Sequence, residues 1–437
     1  MTMPSGMQPE LRTIRLSEII FDETIYARPR GHDPALAQQY ADDWDKIEAA
    51  KRYMAVASDM KLLDGKHRWL AARMLFDGDR EIQVLLYPVS TPYEQVKLAI
   101  KLNADHGRQL SNSDKQADAK TLHSYGDSYD EIAETLSVSK RKVTAWLHDV
   151  ARDEKEKRDR RIFEMWMACD TMEEIAKATD CTKDTVSKVV QVCQKRFHET
   201  KSDKSIANFD DWDAEEGLVP VYNVWRQTAN TNEVSHFGNS EPRWTERLVY
   251  MYTEPFDVVI DPFVGGGATV DVCRKRFRRY WVSDRKPILA REGQIRHWDM
   301  VNGVPPIPRW QDVRLIFLDP PYWRQAKNQY SKDPEDLANM ELPKFTSTLA
   351  GIINAFAKKL QSGAVIALMM SPTQWNAENR KFTDHLLDMA RLVRLPIDMR
   401  IQAPYECSQC QPQQVMWAKE NRTCLVLSRE IVVWRVE

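Results

Sequence analysis

The sequence predicts a multidomain α/β protein, with a small α+β domain over residues 12–110, a helical region over 111–205 and an open, largely parallel sheet with covering helices over 218–437. Three observations carry that expectation. At 437 residues the chain exceeds what one core usually organises, so two or three domains should share it. Its C-terminal half is punctuated by short apolar runs that end in proline or glycine turns, such as Val258-Val259-Ile260 and Leu315-Ile316-Phe317-Leu318. Unbroken runs of this kind belong to parallel strands buried on both faces. The middle of the chain instead spaces its apolar residues at helical intervals.

In chain order, Ile14-Arg15-Leu16-Ser17-Glu18-Ile19-Ile20 reads as a short strand and turn. Leu62-Leu63-Asp64-Gly65-Lys66-His67-Arg68 then reads as a strand, a tight glycine turn and a helix start carrying cations. Free N–H groups and cationic side chains at a helix start suit a phosphate. Gly65, His67 and Arg68 are therefore candidate nucleotide or phosphate ligands, against a plainer role in capping or bridging the helix. The segment resembles the ParB-like (sulfiredoxin-like) domain, which carries Gly-x-His-Arg at this turn. The resemblance implies contact with nucleotide phosphates; nuclease activity is not expected, since no acidic cluster accompanies the turn.

The helical region holds Ile132, Ala133, Leu136, Val138, Val143 and Leu147 at the spacing of a helix-turn-helix. Ser139 is placed to cap the second helix, which would present Lys140, Arg141, Lys142 and Thr144 to the major groove as candidate DNA contacts. Ile132/Ile175, Ala133/Ala176, Ser139/Thr182 and Val143/Val186 share one offset of 43 residues, so a tandem pair is expected. Residues 152–161 mix both charge signs and read as an exposed helix, and residues 208–217 as an acidic linker.

In the last region, Val258-Val259-Ile260-Asp261-Pro262-Phe263-Val264-Gly265-Gly266-Gly267 is a strand feeding a glycine-rich turn and then a helix. Glycine permits positive φ and close backbone approach to a ligand. A further strand ends in Asp284, where a carboxylate can meet ribose hydroxyls. The run Leu315 to Leu318 ends in Asp319-Pro320-Pro321-Tyr322. Proline has a fixed φ and no N–H, so the Pro320 carbonyl is held without a competing donor. That carbonyl and the Asp319 carboxylate can accept both hydrogens of an exocyclic amine, while Tyr322 can stack on a base taken out of the duplex. Residues 364–369, 392–401, 423–428 and 430–435 should complete the sheet.

Asp319-Pro320-Pro321-Tyr322 resembles the catalytic motif of the DNA amino-methyltransferases in all four positions. Asp261-Pro262-Phe263-Val264-Gly265-Gly266-Gly267 resembles their Asp-Pro-Phe-x-Gly-x-Gly motif, with Gly266 and Ala268 in place of the more usual Ser and Thr. The resemblance implies a Rossmann-like methyltransferase domain with a seven-stranded sheet and S-adenosylmethionine as cofactor. Asp261, Phe263, Gly265, Gly267, Asp284 and Asp299 would hold that cofactor, and Asp319, Pro320, Pro321 and Tyr322 would be catalytic. Residues 237–244 loosely resemble the family segment ahead of the cofactor strand. An Asp at the first motif position leans toward adenine N6; cytosine N4 is the alternative. A ParB-like DNA-binding regulator with a vestigial methyltransferase domain is the alternative from another class.

Only 58 residues separate Asp261 from Asp319, too few for an inserted target-recognition domain. DNA engagement should therefore fall partly to the helical pair. A formal net charge of −2 means that any nucleic-acid contact must be a local patch. Seven cysteines in so long a chain do not make a disulfide framework, and Cys407-Ser408-Gln409-Cys410 lacks clear partners, so no metal is expected. No signal peptide or membrane span is read, so a cytoplasmic protein is expected, and the family resemblance implies DNA as its partner. A nucleotide at the first domain and a homodimer are open expectations.

Overall fold

The computed structural model describes residues 8–25, 34–105, 110–200, 222–227, 241–325, 327–328, 331–404 and 410–437. The expected linker at 208–217, the segment 237–240 and Cys407 lie outside them. The chain forms two compact units, Met1–Lys157 and Arg158–Glu437. The helical region expected over 111–205 is shared between them.

In the first unit, β1 (Glu10–Arg15), β2 (Met54–Ala57), β3 (Leu62–Asp64) and β4 (Glu81–Tyr87) form a sheet in the order β1-β4-β2-β3. Helices α1 (Pro34–Asp42), α2 (Trp44–Ala49), α3 (Lys66–Leu75) and α4 (Pro92–Asp105) accompany it, followed by α5 (Asn112–Ser124), α6 (Tyr129–Thr135) and the start of α7 (Lys140–Met167). Leu122, Ile132, Leu136, Val143 and Leu147 pack into one core with Leu63, Tyr87, Val96 and Ala99. The first helix-turn-helix is therefore built onto this α+β domain.

The second unit continues with the end of α7, α8 (Met172–Ala178) and α9 (Lys183–Thr200). The 43-residue repeat extends from sequence to hydrogen bonds. Ser128 and Glu131 form a capping box ahead of α6, and Thr171 and Glu174 form its counterpart ahead of α8. The turns use positive φ at Ser137 and Asp180, of 49° and 50°. Val138 N donates to Ala133 O and Cys181 N to Ala176 O, both at 3.0 Å. Each copy thus comprises three helices, and α7 supplies the last helix of the first copy and the first helix of the second.

The large sheet follows, with β5 (Val258–Asp261), β6 (Arg279–Asp284), β7 (Arg296–His297), β8 (Val313–Leu318), β9 (Val365–Met370), β10 (Ile397–Pro404) and β11 (Ser428–Arg435). Its strands run in the order β10-β11-β9-β8-β5-β6-β7, and their number is the seven expected. Only β11 lies antiparallel to its neighbours. Helices α10 (Pro242–Tyr252) and α11 (Ala268–Lys275) cover one face, α12 (Leu342–Ala357) and α13 (His385–Ala390) the other, and α14 (Pro412–Glu420) follows β10 in the chain. Alternate strand residues serve the two layers. Val258, Ile260, Ile316 and Leu318 pack with Phe345, Leu349 and Ile353, whereas Val259, Leu315 and Phe317 pack with Trp244, Leu248 and Val270.

One local expectation is corrected. Residues 392–396 and 423–427 are not strand, because β10 and β11 begin only at Ile397 and Ser428. Leu425, Val426 and Leu427 instead line a cavity. Each of the two strands between β5 and β8 is followed by a 3₁₀ turn, at Leu289–Arg291 and Met300–Asn302, rather than by a helix of its own.

Candidate functional site

β5 meets β6 on one side and β8 on the other, so the chain reverses its direction of winding between β5 and β8. Ligands of open α/β sheets sit at the carboxyl ends of strands beside such a switch point. The structure brings Asp261, Asp284 and Asp319 to the ends of β5, β6 and β8.

Asp261 is fully buried and tied at both oxygens. Oδ2 accepts from the Thr269 hydroxyl at 2.5 Å and Oδ1 from the Phe263 amide at 2.9 Å. Burial raises its pKa to about 7, and the like charges of Asp319 and Asp284 add to the rise. Its role is to staple the turn: one carboxylate fixes both the residue after Pro262 and the first turn of α11. Gly265 and Gly267 take φ of 51° and 90°, and Gly267 is the residue before α11. A Cβ on Gly267 would lie 3.1 Å from Arg291 Nε. Arg291 is held there by Asp271 at 2.5 Å, so the turn is closed from outside by an ion pair the sequence did not advertise.

Asp284 accepts from the Gly265 amide at 3.1 Å and from the Lys286 amide at 2.8 Å. The acid is thereby locked to the glycine turn. Asp299 accepts from the Val301 amide at 3.1 Å and pairs with Arg285 Nε at 2.9 Å. Arg285 also binds Asp333 at 2.8 Å, joining the ends of β6 and β7 to the segment ahead of α12. These groups border a cavity of about 120 Å³ whose wall includes Phe263, Asp284, Trp298, Asp299, Met300 and Pro321. Aromatic and thioether surface with Asp284 and Asp299 among the four lining carboxylates suits a purine nucleoside: flat apolar faces for the base, acceptors for hydroxyl and amino groups. S-adenosylmethionine, with its adenosine moiety, fits that donor set.

The four-residue turn Asp319-Pro320-Pro321-Tyr322 follows β8 directly. Tyr322 Oη donates to Asp319 Oδ1 at 2.9 Å, orienting the carboxylate. Arg429 of β11 stands 5.5 Å from the centre of the Tyr322 ring and 5.7 Å from that of Trp244. Trp323 is core: its Nε1 donates to Met340 O at 3.0 Å, and its ring meets His385 edge-on. It therefore leaves the aromatic surface of the turn to Tyr322. Behind it, Thr373 donates to Trp323 O at 2.9 Å, with His385 Nε2 at 3.1 Å from the same hydroxyl. Burial pushes the His385 pKa down to about 4, so the ring is neutral near pH 7. Beyond the turn lies a second cavity of about 270 Å³, edged by Gln325, Pro372, Gln374, Trp375 and Gln414.

In the first unit, Gly65 has φ 99° and a Cβ there would meet Met54 Cγ at 2.9 Å, so the tight turn requires glycine. Arg68 donates to Arg52 O at 3.0 Å, to Tyr53 O at 2.6 Å and to Asp64 at 2.8 Å. Its guanidinium therefore braces the turn against its own domain. His67 lies edge-on to Tyr40, and Lys66 is buried with its ammonium 4.3 Å from the centre of the Phe21 ring. Lys140 pairs with Asp130 at 2.7 Å, Lys142 reaches Asn112 at 2.8 Å, and Arg141 and Thr144 are exposed. Among the described residues, no group of three or more His, Cys, Asp or Glu could hold a metal, and no helix is long and apolar enough to cross a membrane.

Sequence reasoning missed Arg285, Arg291 and Arg429. Single arginines on separate elements carry no motif, and only the folded sheet edge collects them.

Residues 93–288 match the family model of the N6/N4 DNA methylases, described as DNA methylase. The matched segment is less than half of the chain; it contains both helix-turn-helix copies, the glycine turn and Asp284, and it ends before Asp319. Among solved structures, a Pnob8-like ParB N-domain is similar at 13% identity and a TM-score of 0.25, over 33% of this chain and 70% of that one. TrmN from Thermus thermophilus is similar at 13% identity and a TM-score of 0.29, over 45% of this chain and 49% of that one. ParB from Caulobacter crescentus complexed to the parS site is similar at 13% identity and a TM-score of 0.24, over 42% and 99%. No curated protein matches the chain in sequence.

Proposed function

We propose that this chain is a DNA methyltransferase that transfers a methyl group from S-adenosylmethionine to an exocyclic amine, with adenine N6 as the favoured target. One observation carries the reading above the rest: the glycine turn, the acids after β6 and β7 and the catalytic proline turn border one cavity, through Phe263, Asp284, Asp299 and Pro321. Bound S-adenosylmethionine would supply an electrophilic methyl group carried on sulfonium. Phe263, Asp284 and Asp299 would hold its adenosine, and the glycines would let the backbone approach it.

The chain's own contribution is positional and electrostatic. Asp319 and the Pro320 carbonyl accept the two amino hydrogens, which turns the nitrogen lone pair out of conjugation with the ring. Asp319 then stabilises the positive charge that develops on that nitrogen. Tyr322 fixes Asp319 through its hydroxyl and offers its ring to the base; base–aromatic stacking is worth about 1–3 kcal/mol, enough to offset much of the flipping cost. Holding the reactants in line can supply roughly 7–11 kcal/mol of the barrier. The cavity beside Gln325 and Trp375 offers space for the extruded base.

The preference for adenine rests on Asp319 standing where cytosine-modifying relatives more often carry Ser; cytosine N4 remains the second reading. A vestigial domain is disfavoured by the intact hydrogen-bond set around Asp261, Asp284 and Asp319. The test is transfer of radiolabelled methyl from S-adenosylmethionine to unmethylated DNA, followed by nucleoside analysis. Wild type should yield N6-methyladenine. Asp319→Ala should lose turnover by about a thousandfold or more while binding the cofactor within about threefold. Normal methylation by that variant would remove Asp319 from catalysis, and N4-methylcytosine as product would overturn the base preference.

A further inference from the structure

The two helix-turn-helix copies share an internal architecture to the level of single hydrogen bonds, yet their surfaces differ. Asp127 at the head of the first copy is buried and receives Lys97 at 3.0 Å, so it anchors that copy to α4 of the first unit. Its counterpart 43 residues on, Asp170, receives Arg296 of β7 at 2.7 Å. Each copy is therefore fastened by the same position to its own α/β domain.

The divergence lies on the second helix of each motif. The first copy presents Lys140, Arg141, Lys142 and Thr144; the second has Lys183, Asp184, Thr185 and Ser187 at the matching positions. Formal charge over those four positions thus falls from +3 to zero. Lys183 pairs with Glu173 as Lys140 does with Asp130, so the difference lies at the next position, where Asp184 replaces Arg141 and is engaged by Lys188 at 2.7 Å. Further along, Glu154 of the first copy is matched by Phe197 of the second. Phe197 is buried against Phe256 and Phe277, with ring centroids 5.0 and 4.7 Å away, and Val190 and Trp166 join the same cluster. Arg279 of β6 completes the seat, stacking 4.5 Å over Trp166 and donating to its carbonyl.

We propose that the two copies have divided their work: the first grips duplex DNA through Arg141 and Lys142, while the second has become a fixture of the catalytic unit that contributes no DNA contact through its matching helix. A recognition helix binds a polyanion through the cationic excess at its exposed start, and there the second copy carries only Lys183 and Lys188, each paired with an acid, while it turns an apolar face to the sheet. This inference rests on DNA being the partner, as proposed above, and it goes beyond that reading by separating two repeats that the sequence presents as equivalent.

The test uses the full chain and a labelled duplex, with affinity measured by fluorescence anisotropy between 50 and 300 mM salt. Removing two phosphate contacts should lower the slope of log affinity against log salt by about 2, with binding about tenfold or more weaker at physiological salt. That result is expected for the double variant Arg141→Gln/Lys142→Gln. The double variant Lys183→Gln/Lys188→Gln, which removes both cations from the start of the second copy's helix, should bind within about twofold of wild type with an unchanged slope. Equal losses in both variants, a loss only in the second, or no loss in the first would each overturn the division. Thermal melts of both variants establish that a loss reflects binding rather than unfolding. Methyl transfer by wild type is scored separately: if it fails while the duplex still binds, the catalytic reading falls, and the comparison of the two variants still decides this one.

Discussion

Asp261→Asn offers a quantitative test of how the glycine turn is built. Unfolded, the carboxyl loses its proton near 3.8; folded, it keeps it to about 7 because it is buried. Between those values the native state binds more protons than the unfolded chain, so stability falls as pH rises through the window. The slope approaches about 1.4 kcal/mol per pH unit, and the total is at most about 4 kcal/mol. Below about pH 4 both states are protonated and above about pH 7 both are ionised, so the contribution is flat at either end. Asparagine keeps an acceptor for the Phe263 amide but forces the Thr269 hydroxyl to accept rather than donate, a loss of about 1 kcal/mol that does not depend on pH. The variant should therefore be no more stable than wild type at pH 4.5 and more stable at pH 7.5. Urea unfolding of both proteins at pH 4.5, 6 and 7.5 reads the difference, and other titrating groups cancel in the comparison. A difference that stays constant across that range would refute the account of Asp261 as a buried acid uncompensated by a cation.

Further predictions concern the same sheet edge. Gly267→Ala imposes a left-handed backbone on an L-residue, at about 1–2 kcal/mol, and presses on Arg291; calorimetry should show S-adenosylmethionine binding weakened about tenfold, and an unchanged Kd would contradict the closed-turn geometry. Tyr322→Phe should retain the stacking ring and lose only the hydrogen bond to Asp319, with kcat falling several-fold, whereas Tyr322→Ala should also raise the KM for DNA; indistinguishable variants would argue against the ring's role. His385 has its pKa lowered to about 4, so the unfolded chain takes up a proton first as pH falls through 6.5. It should cost about 2 kcal/mol of stability at pH 5 relative to pH 7.5, a loss absent from His385→Gln and measurable in the same unfolding experiment.

Strands β5, β6, β8 and β9 were legible because burial on both faces leaves no freedom but continuous apolar residues, and proline or glycine marks each exit. β10 was legible only in part. It lies at the sheet edge, Ile397 and Met399 are half exposed, and its pattern does not differ enough from a loop to fix where it begins. Residues 423–427 failed for the opposite reason. Leu425, Val426 and Leu427 are as apolar as a strand, but they serve as a cavity wall, and composition does not distinguish the two uses.

The site divides along the same line. Asp261, Asp284 and Asp319 could be read from sequence because each terminates its own strand, and a local motif suffices to place a strand end. Arg285, Arg291 and Arg429 could not, since each acts on a residue supplied by another element: Arg285 on Asp299 and Asp333, Arg291 on Asp271 and the space over Gly267, Arg429 on Tyr322. The two helix-turn-helix copies obey this rule as well. Their shared offset is a local property and was visible, whereas the burial of Phe197 depends on Phe256 and Phe277, which lie 59 and 80 positions further along the chain and meet it only in the folded unit. Chemistry carried by strand ends is therefore written in the chain, while the arginines and aromatic seats that hold it in place are written only in the topology.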